Sequence, residues 1–255
     1  MKIDLNSDLG EGFGRWKGGE DAELMKIISS ANVACGFHAG DAVIMTRTVE
    51  LAKANNVAIG AHVGLPDLLG FGRVAMDINP RDMQKHALYQ LGALAAIAKV
   101  AGYKVTHANT HGAMGGMAKE NPEYINLILD VFNAFDKELM FSGAVNSPGL
   151  DHARKLGMRT VGKIFADRNY DEDGTLITRK HPKALITDLE EVQARVSQFM
   201  HDSTIATLSG KRIKVDAKSI LVHSDTPGAV AIAKMVRETV EKGGGQIVPF
   251  TELAD

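Results

Sequence analysis

The sequence has little cysteine and no excess of either charge. One cysteine, Cys35, among 255 residues excludes an internal disulfide bond, which is typical of cytoplasmic proteins. We interpret Cys35 as a buried, unreactive thiol because it follows an apolar strand-like segment. The formal net charge of −2 gives no electrostatic basis for binding nucleic acid or an anionic membrane. We therefore expect a cytoplasmic protein that binds neither.

Signals for export, membrane insertion and nucleotide binding are also missing. Asp4 and Asp8 interrupt the N-terminal segment, which excludes a secretory signal there, and no stretch approaches the roughly 18 apolar residues of a membrane span. The glycines of "GEGFG" (10–14) lack the spacing of a dinucleotide-binding loop, and no G-x-x-x-x-G-K-[ST] motif occurs. No linker or low-complexity segment divides the chain, so we predict one domain over residues 1–255.

What the sequence does contain is a regular alternation of strand-like and helix-like segments. "NVACGF" precedes "DAVIMTRTVELAKANN", for example, and a first helix is predicted in "EDAELMKIISSA" (20–31). About seven such units predict an α/β protein, namely a closed or nearly closed parallel β/α barrel with seven strands. Two additions are a hairpin that turns at Ser209 and Gly210 and a short terminal strand in "QIVPF".

Polar residues collect directly after the strand-like segments. In a β/α barrel these positions surround the functional end, and four of the nine histidines occupy them. One such histidine is more often structural, but four at equivalent positions indicate a functional site. The predicted catalytic residues are Asp8, His38, His62, His111 and His223. The predicted substrate-binding residues are Glu11, Asp41, Arg73, Asn109, Asp167, Arg168 and Asp225.

The first strand predicts a polar barrel interior. Asp4, Asn6 and Asp8 lie on one side of it, and burying all three requires partners or ligands. Carboxylate and imidazole groups together bind divalent metals. We therefore predict a loosely held divalent metal ion at Asp8, His38 and His62, without which the chain still folds.

Two long loops are predicted to cover the barrel end. They are "LPDLLGFGR" (65–73) and "FADRNYDEDGTLITRKHP" (165–182), and loops of this length are often lids. Arg73 and Arg168 are candidate clamps for a substrate carboxylate, because a guanidinium group can hold a carboxylate with two hydrogen bonds.

Several motifs resemble the LamB/YcsF family over nearly the whole chain. They include "DLNSDLGEGFG" (4–14), "ISSANVACGFHAGD" (28–41), "FADRNYDEDGTL" (165–176) and "VHSDTPGAVAIA" (222–233). The resemblance implies a β/α barrel of the glycoside hydrolase/deacetylase kind. It also implies ATP-dependent hydrolytic opening of the lactam 5-oxo-L-proline to L-glutamate, together with subunits B and C of a bacterial 5-oxoprolinase.

One departure from the family pattern concerns the substrate. The family motif K-P-H-G-A-L-Y corresponds here to Asn109 through Gly115, so its lysine and its aromatic residue are absent. A cation at such a position can bind a carboxylate or phosphate group or polarise a carbonyl group. We expect Arg168 to supply the missing cation if the substrate is 5-oxoproline.

Three hypotheses for function stay open at this point. The first is a lactam hydrolase whose partner subunits supply much of the ATP chemistry, because this chain lacks a nucleotide motif. The second is a metal-dependent deacetylase or amide hydrolase that acts alone on a carbohydrate or another amide. The third is a non-catalytic subunit that only binds a partner.

Overall fold

Seven parallel strands form a closed barrel in the computed structural model, which describes residues 1–253. The seven barrel strands are β1 Lys2–Leu9, β2 Ser30–Ala34, β3 Ala58–Val63, β4 Val105–Thr110, β5 Met140–Ala144, β6 Thr160–Phe165 and β9 Ser219–His223. Three further strands lie outside the ring: β7 Thr204–Ala206, β8 Arg212–Lys214 and β10 Gln246–Ile247. Strands β1 to β6 pair in sequence order, and β9 closes the ring by pairing with both β6 and β1. The predicted seven-stranded parallel barrel is confirmed.

The helices pack around the barrel, as right-handed crossovers between parallel strands require. They are α1 Asp21–Leu24, α2 Ala42–Ala54, α3 Pro80–Val100, α4 Ala113–Glu120, α5 Glu123–Phe135, α6 Pro148–Lys155, α7 Leu189–Asp202 and α8 Ala229–Lys242, with a 3₁₀ helix at Phe250–Glu252. Asn79 caps α3 by accepting a hydrogen bond from the Arg81 amide at 2.9 Å, and Pro80 occupies the first turn. None of the helices within residues 1–253 is long and apolar enough to cross a membrane.

The strands and helices follow the sequence prediction except near residue 30 and at α4, a helix that was not predicted. The predicted first helix is wrong beyond its first turn: α1 ends at Leu24, and Ser30 already pairs with Asn6 in the barrel. Pairing of β2 with β1 in the barrel therefore takes precedence over the helical periodicity of this segment. The hairpin is confirmed as the antiparallel pair β7 and β8, with Gly210 at φ +87° in its turn, and β10 is the predicted terminal strand.

The barrel interior is polar, whereas the space between the barrel and the helices is apolar. Side chains such as Leu5, Leu9 and Val33 are fully buried in the outer layer. Because side chains alternate along a strand, Asp4, Asn6 and Asp8 point inward, as predicted, and all three are buried. This alternation places a column of polar groups along the barrel axis, and the column leads to the ends of the strands.

Candidate active site

The C-terminal ends of five barrel strands, together with the loops that follow them, carry these polar residues of the site. Asp8 lies near the end of β1, His62 near the end of β3 and His223 at the end of β9, while Glu11, His38 and His111 follow β1, β2 and β4. Gly64 lies so close to His38 that a β-carbon there would overlap its imidazole ring. A side chain at this position would therefore displace His38 from the barrel mouth.

A carboxyl group and three imidazoles form what we call the mouth cluster: Glu11, His38, His62 and His111. Glu11 Oε1 lies 3.3 Å from His38 Nε2, 3.5 Å from His111 Nδ1 and 3.8 Å from His62 Nε2. The rings of His38 and His111 are stacked, with centroids 3.8 Å apart. All four residues are buried, so water screens their interactions only weakly.

Burial sets the ionisation of this cluster. It raises the pKa of Glu11 well above the ordinary value, and the negative charges of Asp8 and Asp225 add to this effect. It also lowers the pKa of His38 and of His111 well below that of a free histidine. Burial therefore favours the neutral forms of both the carboxyl group and the imidazoles in the mouth cluster.

The mouth cluster could hold a metal ion, because one donor atom from each residue lies within 4.8 Å of the others. Glu11 Oε1 and both ring nitrogens of His38 are buried without a hydrogen-bond partner, and such carboxylate and imidazole donors suit divalent transition metals. The predicted metal set differed from this group: it included Asp8 instead of Glu11 and His111. Asp8 instead accepts a hydrogen bond from Asn32 at 2.7 Å.

Asp8 lies between the mouth cluster and a second group. Its Oδ2 is 3.5 Å from His62 Nε2, and it is the register partner of His223 across β1 and β9. Burial by itself raises the pKa of a carboxyl group, but the interactions with His62, His223 and Lys163 and the hydrogen bond from Asn32 outweigh burial and hold the pKa of Asp8 below its ordinary value. Asp8 is therefore ionised at neutral pH, whereas its surroundings shift Glu11 towards the protonated form.

The second group is a histidine–aspartate dyad, His223 and Asp167. His223 Nδ1 lies 3.0 Å from Asp167 Oδ2, and Thr226 Oγ1 donates to the same oxygen at 2.6 Å. His223 also stacks on Phe165, with centroids 5.3 Å apart. An ionised aspartate accepts hydrogen bonds only, so Nδ1 carries the proton and Nε2 presents its lone pair.

Arginine side chains lie at the outer rim, around Asp225. Arg73 Nη2 is 2.6 Å from Asp225 Oδ2, and Arg179 Nη2 is 3.5 Å from Oδ1. Arg73 also lies over the ring of Phe71 at 4.7 Å. Arg179 was not predicted, although it belongs to the long loop that was predicted as a lid. Both guanidinium groups are partly exposed and lie where an anionic ligand has access.

Two predicted substrate-binding residues have structural roles instead. Asp41 caps α2: its Oδ1 accepts from the amides of Val43 and Ile44 at 2.9 and 2.8 Å. Arg168 is buried, and its guanidinium group donates to the carbonyl groups of Ala184 and Ile177 at 3.2 and 2.6 Å. Arg168 therefore holds its own loop together, and the expectation that it clamps a substrate carboxylate is corrected.

The cation beside Asn109 is Lys163, which the sequence analysis missed. Its ammonium group lies 2.7 Å from the side-chain amide of Asn109 inside the barrel, and the surrounding donors and acceptors assign the amide oxygen to that side. Burial lowers the pKa of Lys163 to about 8, although Asp8 and Asp4 oppose this effect. Its position in the sequence could have indicated this role. Lys163 lies in the middle of "TVGKIF", a barrel strand whose outer face packs against apolar helices, so a charged side chain there is expected to face the polar interior.

Cys35 behaves as predicted. The side chain is buried, and burial raises the pKa of the thiol to about 12. A thiol that stays protonated at neutral pH is a poor nucleophile. The acid–base groups of the site are therefore its carboxyl groups, imidazoles and one ammonium group.

The fold and these groups together define a class of protein: a β/α barrel with an enclosed acid–base site at the ends of its strands. The model of the LamB/YcsF family matches residues 3–255. The chain belongs to the LamB/YcsF family.

Relatives and solved structures agree with this assignment. The chain is 48% identical to a 5-oxoprolinase A subunit of Bradyrhizobium diazoefficiens and 49% identical to the protein of the same name from Pseudomonas syringae pv. tomato, in each case over 99% of both chains. The crystal structure of a lactam utilization protein from Thermus thermophilus superposes with a TM-score of 0.91 at 38% identity, covering 98% of this chain and all of the other.

Proposed function

We propose that the chain is the amide-hydrolysing subunit of a 5-oxoprolinase. Water adds to the lactam carbon of 5-oxo-L-proline, the ring C–N bond breaks, and the nitrogen takes up a proton, which gives L-glutamate. The names of the relatives support this proposal. The observation that carries it is that the His223–Asp167 pair and Glu11 flank Asp8 at the barrel mouth, and we assign them the roles of proton acceptor and proton donor.

His223 is the general base for the attacking water. Its Nδ1–H donates to Asp167, so Nε2 is free to accept a proton. The aspartate also stabilises the imidazolium ion that forms. Stacking on Phe165 restricts the orientation of the ring.

Glu11 is the general acid for the leaving nitrogen. A carboxyl group can donate a proton only if it remains protonated at the working pH, and burial raises the pKa of Glu11 in the required direction. Glu11 lies next to three imidazoles, and these can return a proton to it after each turnover. Arg73 and Arg179 bind the substrate carboxylate at the rim in place of Asp225.

ATP hydrolysis by partner subunits B and C drives the reaction. An unstrained lactam is a poor electrophile, and opening it to glutamate is uphill. Transfer of a phosphoryl group from ATP to the lactam oxygen makes the ring carbon a better target for water. Breaking the ring C–N bond then leaves an acyl phosphate, which a second water hydrolyses to L-glutamate and inorganic phosphate. This chain has no phosphate-binding loop motif, so the partner subunits carry out much of the nucleotide chemistry.

Reconstitution with subunits B and C tests the proposal. Glutamate release from 5-oxoproline should require ATP and all three subunits. Glu11→Gln should reduce kcat by about 10²–10⁴-fold, the contribution of a positioned acid. The control, Glu23→Gln, changes an exposed residue of α1 and should leave kcat within about twofold. Absence of ATP-dependent glutamate release from the complete wild-type complex would refute the proposal.

The mouth cluster supports a second candidate, a metal-dependent amide hydrolase that acts without ATP. Glu11, His38, His62 and His111 would hold a divalent ion, which supplies Lewis-acid polarisation of an amide carbonyl when bound. The same preparations distinguish the two functions. Amide hydrolysis by the isolated chain that needs zinc and stops after chelation favours the second candidate, and activity that needs ATP and survives chelation favours the first.

A further inference from the structure

The side-chain amide of Asn109 is held in one orientation from both ends. The hydrogen-bonding groups around it assign its oxygen to the side of Lys163, whose Nζ donates to it at 2.7 Å. Its nitrogen donates to the carbonyl oxygen of Ala61 at 3.2 Å and to His62 Nδ1 at 2.8 Å. An ammonium group can only donate and a carbonyl oxygen can only accept, so the reverse orientation places donor against donor and acceptor against acceptor.

This orientation determines where His62 carries its proton. Nδ1 of His62 accepts from Asn109, so the ring hydrogen is on Nε2. Nε2 then donates to His111 Nδ1 at 3.0 Å, and His111 Nε2 donates to the carbonyl oxygen of Phe71 at 2.8 Å. Every hydrogen bond in the series therefore has its donor on the Lys163 side and its acceptor on the Phe71 side. The two ends fix this direction, because the ammonium group of Lys163 can only donate and the carbonyl oxygen of Phe71 can only accept.

We propose that Lys163 and Asn109 are positioning residues that hold His62 as its Nε2–H tautomer and thereby bias the mouth cluster towards proton donation and against metal binding. A metal ion bound by His62 in this cluster needs the lone pair of Nε2. Freeing that lone pair moves the hydrogen to Nδ1, where it meets the amino group of Asn109. The group behind His62 thus has the opposite polarity to the carboxylate or carbonyl group that usually supports a metal-binding histidine.

The isosteric change Asn109→Asp reverses this polarity. A carboxylate accepts only, so the hydrogen of His62 should move to Nδ1 and leave Nε2 free. Nitrogen NMR of the imidazole distinguishes the two tautomers. We expect Nε2–H in the wild type and Nδ1–H in Asn109→Asp, and an affinity for Zn²⁺ alone, measured by calorimetry, at least about tenfold higher in the variant. The control Asn55→Asp adds the same charge at an exposed site and should change neither measurement.

A second pair of variants separates hydrogen bonding from charge and serves if Asn109→Asp does not fold. Lys163→Gln and Lys163→Met both remove the positive charge, but only glutamine keeps a donor for Asn109 Oδ1. Lys163→Gln should retain the Nε2–H signal, whereas Lys163→Met should show both tautomers and bind Zn²⁺ several times more tightly than Lys163→Gln. An Nδ1–H signal in the wild type, or identical spectra and zinc affinities for the two Lys163 variants, would overturn the proposal.

Discussion

The two ends of β1 both carry a buried carboxyl group, but their surroundings differ. At the start of the strand, Asp4 accepts hydrogen bonds from Ser29 Oγ at 2.8 Å and from Ser219 Oγ at 2.7 Å, so each oxygen has a partner. Beyond the end of the strand, Glu11 Oε1 and both ring nitrogens of His38 have none. We call the first region the floor of the barrel and the second its mouth.

Burial of polar groups therefore does not by itself mark a functional site. An unsatisfied buried polar group destabilises a fold by about 1–3 kcal/mol, so a stable protein keeps such groups only where another requirement opposes their pairing. At the floor, both carboxyl oxygens of Asp4 are paired internally. The mouth keeps donors and acceptors available for a ligand. Variants at the two ends test this division, and we expect the greatest change at the mouth.

The sharpest test of the mouth is His223→Gln. Glutamine fills similar space but cannot act as a base, so kcat for glutamate release should fall by about 10²–10⁴-fold while the melting temperature changes little. The control is His152→Gln, because His152 also pairs with an aspartate, Asp130, at 3.3 Å, but on the surface of α6. A His223→Gln complex with more than a tenth of the wild-type kcat would remove His223 from the role of base.

A second test introduces a like charge beneath the mouth. Asn109→Lys places an ammonium group against that of Lys163 in a buried region, and an uncompensated buried charge destabilises a protein by about 3–5 kcal/mol. Urea unfolding should show this loss, and the addition of Lys163→Gln should recover most of it by moving the single cation from β6 to β4. Equal stability of Asn109→Lys and the wild type would mean that the interior is more hydrated than its burial indicates.

Variants at the floor should instead change how the free energy of unfolding depends on pH. Burial raises the pKa of Asp4 to about 6 from an ordinary value of 3.8, so the folded state binds more protons than the unfolded state between these values. Stability therefore falls as pH rises from about 4 to about 6 and is level above that. Asp4→Asn lacks this contribution, so the stability of the variant relative to wild type should improve by about 3 kcal/mol between pH 4 and pH 7.

Chemical unfolding of both proteins at several pH values measures this difference directly. Activity provides the contrast with the mouth: Asp4→Asn should retain kcat within a few fold, because Asp4 lies at the opposite end of the strand from Glu11 and His223. A constant stability difference across this pH range would show that the pKa of Asp4 is not raised in the folded protein. Interactions stronger than its hydrogen bonds from serine would then offset the effect of burial.

The mildest change should be at the rim. Arg73→Ala should raise KM for 5-oxoproline by about tenfold, about 1.4 kcal/mol, with little change in kcat, because this arginine is partly exposed and binds the substrate away from the reacting bond. Arg15→Ala, an exposed change in the neighbouring loop after β1, is the control. An unchanged KM for Arg73→Ala would assign substrate binding to another cation, with Arg179 the next variant to test.

Much of the site was predictable because strand ends converge in a barrel. Asp8, His38, His62, His111 and His223 were selected for their positions after strands, and parallel strands in a closed ring bring such positions to one rim. Position after a strand does not give side-chain direction, however. Asp41 and Arg168 also follow strands, yet the first turns back to cap α2 and the second turns into its own loop.

The barrel fold could be predicted from the sequence, because local periodicity defines most of the strands and helices. Seven repeated strand–helix units also leave few arrangements that bury all of their apolar faces. The family could be read in the same way, through motifs spread along the chain. The pairing of Lys163 with Asn109 and the inclusion of Glu11 in the mouth cluster emerged only in the folded chain. These contacts join residues far apart in the sequence across the barrel interior, and hydrogen-bond polarity, burial and distance there depend on how the strands close on one another.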